Sequence, residues 1–214
     1  DRYPRTREAD LELCRQVNAD LVWFPRVEEL YPAGCQSWIE VQELGERFEG
    51  ESRPGHFRGV ATVVGKLFNA VKPSRAYFGE KDLQQLLLVR QMVRDLLFDL
   101  EVVGVPTARE ASGLALSSRN SYLTSQERDQ AALLYRSLLR VRDSHLSGVR
   151  QAKELKKVFL DSISGLECEI ERLDLLHPRL ERSYEGGEEV DAGYCSVALR
   201  FGKVRLIDNI ALCS

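Results

Sequence analysis

Ala76-Tyr77-Phe78-Gly79-Glu80-Lys81-Asp82 is the stretch on which the reading of this chain turns. Ala76 to Phe78 reads as a short strand that Gly79 breaks. Leu83, Leu86, Leu87, Met92, Val93, Leu96 and Leu97 then carry a long helix. Strand, glycine, helix is an arrangement that presents free backbone N–H groups to an anion. Gly79 lets the chain turn at the carboxyl end of the strand, where open α/β sheets bind ligands. Lys81 adds a mobile positive charge suited to a triphosphate, and Asp82 can accept hydrogen bonds from ribose hydroxyls. Gln85 lies one turn on, so its amide can face the same cleft. A plainer reading also stands: Glu80 and Asp82 complement the helix dipole, and a lysine on a first turn is commonly solvated. This stretch alone leaves both open.

Working outward toward the amino end, Val60, Val63, Val64, Leu67, Phe68 and Val71 predict an amphipathic helix. Thr6 is a candidate cap for a helix over Arg7 to Val17, and the apolar run Leu21-Val22-Trp23-Phe24, closed by Pro25, predicts a buried strand. Trp38 to Val41 is a candidate edge strand. Toward the carboxyl end, Glu101 to Val105 predicts a strand ended by Pro106. The alternation predicts a mostly parallel sheet with helices packed on it. Beyond Thr107 the pattern changes. Thr124-Ser125-Gln126-Glu127 is a capping box opening a helix to about Leu146, and a second helix follows Val149. Strands are expected over Cys168 to Leu176, Cys195 to Phe201 and Lys203 to Leu212, with a tight turn at Phe201-Gly202-Lys203. The expected architecture is therefore an α/β, Rossmann-like nucleotide-binding domain over residues 1–106, followed by a smaller α+β domain with a short antiparallel sheet over 107–214.

Two further stretches carry candidate chemistry. Leu116-Ser117-Ser118-Arg119 puts two hydroxyls beside an arginine able to bind phosphate through two N–H groups, a plausible mobile clamp; a polar interdomain linker is the bland reading. Arg53-Pro54-Gly55-His56-Phe57-Arg58-Gly59 suits a loop shaped to approach a ligand, although a lone histidine is more often structural than catalytic. A formal charge of −3, from 30 basic and 33 acidic residues, gives no long-range pull toward nucleic acid or an anionic membrane. Phosphate recognition must then be local. Five dispersed cysteines without a C-x-x-C pair argue against a disulfide framework or zinc site and fit a cytoplasmic location, and no metal ligand set is predicted.

In this order, Tyr3-Pro4-Arg5-Thr6, Arg53 to Val60, Phe78 to Asp82, Gln84-Gln85, Leu114 to Asn120 and Arg205-Leu206-Ile207-Asp208-Asn209 resemble the pantothenate synthetase (pantoate–β-alanine ligase) family. The resemblance implies ATP-dependent condensation of pantoate with β-alanine through a pantoyl adenylate, releasing pyrophosphate and then AMP. It implies that Gly79, Glu80, Lys81 and Asp82 contact ATP, with Lys81 on phosphate and Asp82 near ribose. It implies that the backbone near Ala108 touches adenine and that Leu116, Ser117, Ser118 and Arg119 close on the phosphates. Lys81 and Arg119 become the catalytic candidates, Gln85 holds pantoate, and Arg53 and His56 line the cleft. Mg²⁺ would accompany the nucleotide, and the protein would form a homodimer. The family's opening Pro-Thr-Met-Gly strand and His-x-Gly-His motif have no counterpart here, and the chain opens at Asp1. The expectation is that these residues supply two walls of a three-walled site, the remainder lying on another segment or chain. Two other readings are a different nucleotidyl-transferring enzyme of the same fold and a non-catalytic dimerisation or binding module.

Overall fold

A computed structural model describes residues 6–213, which fall into two compact units that part between Ser37 and Trp38. The first carries α1 (Arg7–Gln16) and the single-turn α2 (Val27–Leu30). Thr6 precedes α1 but makes no capping bond to its backbone; its hydroxyl donates to Asp10 instead, at 3.2 Å. Leu21 to Phe24 has no regular secondary structure and is exposed rather than a buried strand. An apolar run becomes a strand only when its N–H and C=O groups find a ladder, and among the described residues this one finds none. The expected match at Tyr3-Pro4-Arg5 lies outside the described residues.

The second unit opens with Trp38 to Val41, which is not the expected edge strand. Thr62 holds it from α4 (His56–Val71): its hydroxyl accepts from the Ile39 N–H at 2.9 Å and donates to the Ile39 carbonyl at 3.3 Å. Between them lies the short α3 (Glu49–Ser52). β1 (Arg75–Gly79), α5 (Leu83–Asp95) and β2 (Glu101–Val105) then form a βαβ unit whose strands pair in parallel, from Arg75 opposite Glu101 to Gly79 opposite Val105. One face of α5, with Leu88, Val89 and Met92, packs against Phe57, Ala61 and Phe68 of α4 over this small sheet. The parallel βαβ unit with its helices, followed by a separate antiparallel sheet, is the expected fold class.

That antiparallel sheet joins β3 (Glu169–Leu176), β4 (Gly193–Phe201) and β5 (Val204–Leu212), in that order. Gly202 turns the β4–β5 hairpin with φ +53°, a left-handed conformation that favours glycine. α6 (Ser125–Leu146) and α7 (Ala152–Ser162) cover one face. The predicted capping box is formed: Thr124 accepts from the Glu127 N–H at 3.2 Å, and Glu127 accepts from the Thr124 N–H at 2.8 Å. Leu138, Val141, Leu155 and Phe159 meet Val197, Leu199, Phe201, Leu206, Ile210 and Leu212 in the larger core. β5 alternates strictly: its even-numbered residues are buried, whereas Arg205, Ile207 and Asn209 share the opposite, half-buried face. That second face looks into the cleft.

Candidate active-site cleft

The cleft lies where three segments meet: α3 and the start of α4, the turn from β1 into α5, and the open face of the antiparallel sheet. Its lining includes Glu49, Arg53, His56, Lys81, Asp82 and Gln85. Arg53, His56, Lys81, Asp82 and Gln85 thus share one lining, although they belong to two separate motifs.

Local geometry explains how each arrives there. Gly55 caps α4 with φ +75°, reversing the chain so that Arg53 and His56 face one space. Glu80 to Asp82 form one 3₁₀ turn before α5. Lys81 and Asp82 project to the cleft, whereas Glu80 lines a second cavity of about 350 Å³ on the other side of the turn. That cavity is also lined by Arg90, Pro106, Thr107 and Arg109, the last two being the neighbours of Ala108. Gly79 ends β1 in extended conformation, with φ −67°.

Leu116 to Arg119 form no part of either lining. The Leu116 N–H donates to the Ala108 carbonyl at 2.8 Å, and Ser117 Oγ accepts from the Arg119 N–H at 3.2 Å. The Arg119 charge nevertheless reaches the cleft. Arg53 is held below the usual arginine range first by burial and next by repulsion from Arg119. His56 is likewise pushed below its ordinary value, first by burial and then by Arg53. The lining sets Arg53, Lys81 and Arg172 against Glu49, Asp82 and Asp174, so an anion would be held there by particular side chains and not by a net positive charge.

Other residues fix the walls, and no local signal in the sequence marks them for that task. Gln84 is buried, and its Nε2 donates to the carbonyls of Leu44 at 2.7 Å and Arg47 at 2.8 Å, while its Oε1 accepts from the Glu49 N–H at 3.1 Å. Arg205 grips Glu49 through two bonds, of 2.8 and 2.7 Å, and also binds Glu171. Burial alone would raise the Glu171 pKa, but bonds from Arg205 and Arg200 outweigh it and hold the carboxyl below the usual range. Phe48, also in the lining, sits at φ +52°. Such a conformation is costly for a bulky residue and persists only when its surroundings over-determine it. Here Arg172 donates to the Phe48 carbonyl at 2.7 Å, and Gln84 holds the following N–H.

Fold and cleft together define the class: an α/β enzyme with a cleft lined by charges of both signs between a strand–turn–helix unit and an antiparallel sheet. The family model for pantoate-beta-alanine ligase matches residues 1–211. A pantothenate synthetase from Herpetosiphon aurantiacus is 45% identical over 211 residues, covering 98% of this chain and 76% of the relative. One from Acidobacterium capsulatum is 48% identical over 212 residues, covering 99% and 70%. The solved structure of pantothenate synthetase from Thermus thermophilus superposes with a TM-score of 0.92 at 46% identity, covering 100% of this chain and 77% of that one. A pantoate-beta-alanine ligase from Francisella tularensis, solved with Beta-gamma ATP and Beta-alanine, matches with a TM-score of 0.75 at 32% identity, covering 98% and 71%. The chain belongs to the pantoate–β-alanine ligase family.

Proposed function

We propose that the cleft of Arg53, His56, Lys81, Asp82 and Gln85 serves the ATP-dependent condensation of pantoate with β-alanine. The observation that carries the reading is the convergence of Lys81, Arg53 and the Arg119 charge on one partly buried space. A carboxylate oxygen of pantoate attacks the α-phosphorus of ATP; the new P–O bond forms as the bond to pyrophosphate breaks. The amine of β-alanine then attacks the acyl carbon, the bond to AMP breaks, and the nitrogen loses a proton. Both attacking groups belong to substrates, so no side-chain nucleophile is required. The protein's work is positioning and charge stabilisation.

In this reading Lys81 and Arg119 neutralise charge that accumulates on the phosphates. Gly79, Glu80 and Asp82 hold the nucleotide, Asp82 accepting from ribose, and Ala108 offers its backbone to adenine. Leu116, Ser117 and Ser118 bring Arg119 over the phosphates, and Gln85 holds pantoate. Among the described residues no three His, Cys, Asp or Glu side chains cluster to hold a metal. Asp82, a carboxylate in the lining, would stand beside Mg²⁺ carried by the nucleotide. The ion would supply further neutralisation of the phosphates.

The same proposal takes residue 106 as the boundary between a nucleotide-binding domain and a C-terminal lid. Two larger core clusters support it, one drawn from Phe57 to Met92 and the other from Leu114 to Leu212, while a smaller one of Phe48, Leu83, Leu176 and Leu180 bridges the boundary. A homodimer and a cytoplasmic location complete it; all five cysteines are free, and no helix among the described residues is long and apolar enough to cross a membrane. The test is pyrophosphate release from ATP with and without pantoate, followed by AMP release on adding β-alanine. Pantoate-dependent pyrophosphate is expected. ATP binding with no pyrophosphate from either mixture would overturn the reading in favour of a binding module.

A further inference from the structure

Asn209 lines both the cleft and the second cavity, between which the Glu80–Asp82 turn stands. Its Nδ2 donates to two successive main-chain carbonyls, those of Glu80 and Lys81, each at 3.0 Å. These contacts cross from β5 to the βαβ unit. Asn209 is itself held from behind. Its N–H donates to Asp208 Oδ1 at 2.9 Å, and Asp208 is buried and bound at both oxygens by Arg109, at 2.6 and 2.9 Å. The Arg109 guanidinium rests 3.5 Å from the centre of the Tyr135 ring.

We propose that Asn209 is a positioning residue for the adenylation step: by holding the Glu80 and Lys81 carbonyls, it fixes the base from which the Lys81 ammonium reaches the phosphates. This rests on the role given to Lys81 above. A lysine side chain is long and flexible, so its reach is set by the orientation of the backbone that bears it. A reacting group displaced by about 1 Å costs on the order of 10²-fold in rate. The chemistry of the contact is specific. A primary amide carries two N–H donors on one nitrogen and can satisfy two carbonyls at once. Aspartate has the same shape but only acceptors when ionised, so it would set oxygen against oxygen.

That asymmetry separates positioning from packing. Asn209→Asp keeps the volume and reverses the polarity; Asn209→Ala removes both. Pantoate-dependent pyrophosphate release by the full chain, with wild type alongside, should fall in Asn209→Ala on the order of 10²-fold, chiefly in kcat, and further in Asn209→Asp. Hydrogen exchange at residues 79–86 should quicken in both variants, and that of α7 should stay unchanged. Asn209→Asp at or above the rate of Asn209→Ala would overturn the inference, as would wild-type exchange at 79–86 in both variants. A wild-type chain that releases no pyrophosphate would instead overturn the proposed function, and the exchange measurement would still decide whether Asn209 holds the turn.

Discussion

At the scale of single residues, the cleft is defined by charges held where water only partly reaches them. Lys81 is in the lining, and Arg53 is held below its ordinary value first by burial and then by the charge of Arg119, so both cations stand within electrostatic reach of one bound anion. Removing one preorganised donor at such a site costs about 10²–10³-fold in rate. Lys81→Ala and Arg119→Ala should each slow single-turnover pyrophosphate release by about that factor, and wild-type rates in either would dismiss that residue's role. His56 offers a test by pH. Its pKa is lowered in the folded chain, so between that value and the ordinary 6.5 the unfolded chain binds more protons. The stabilising contribution is whole above the ordinary value and declines as pH falls below it. Urea unfolding from about pH 7.5 to about pH 5 should show a shallower loss of stability in His56→Gln than in wild type. Parallel curves would remove His56 as the source.

Secondary-structure elements explain why those residues point inward. α4 begins at His56 only because Gly55 adopts φ +75°. A side chain there costs about 1–2 kcal/mol. Gly55→Ala should lower unfolding stability by about that amount and weaken ATP binding, both measurable by denaturation and calorimetry; an unchanged midpoint would mean that the turn tolerates a side chain. β5 shows how one strand serves two purposes. Its buried face joins the larger core through Leu206, Ile210 and Leu212, and its other face presents Arg205 and Asn209 to the two walls of the cleft. The period of two along a strand makes that division possible without any change of backbone.

On the scale of the second unit, the antiparallel sheet and the βαβ unit are tied both by a small buried apolar cluster, in which Leu83 of α5 meets Phe48, Leu176 and Leu180, and by polar bonds. Asn209 bonds Glu80 and Lys81 within the βαβ unit, while Arg205 with Glu49 and Arg172 with the Phe48 carbonyl tie the sheet to α3 and the residue before it. Asp208 sits among the apolar residues of β5, only 2% exposed, and its charge is balanced by Arg109. Breaking a buried pair by removing one partner costs about 3–5 kcal/mol, because the other charge is left uncompensated. Asp208→Ala should therefore destabilise the chain by about that much, and adding Arg109→Met should recover part of it. A double variant no better than the single one would show that the pair is not the source of the loss.

Much of this is legible from the residues alone. β2 from Glu101 to Val105, α6 behind its Thr124–Glu127 capping box, and the hairpin at Gly202 all form as expected, because short-range sterics and hydrogen bonds specify them. The membership of Arg53, His56, Lys81, Asp82 and Gln85 in one cleft is legible through the order of the motifs, not through any one of them. Leu21 to Phe24 misleads because an apolar run does not reveal whether a neighbouring strand will pair with it. Glu80 lies on the far side of the turn from Lys81, a difference that only the path of the backbone sets. The structural tasks of Gln84 and Asn209 are hidden for a related reason. Their partners are 35 to 40 and 128 to 129 residues away, so their donors acquire meaning only when the chain is folded. Local chemistry in the sequence determined the elements and the kind of site, and tertiary contacts decided which side chains hold that site in shape.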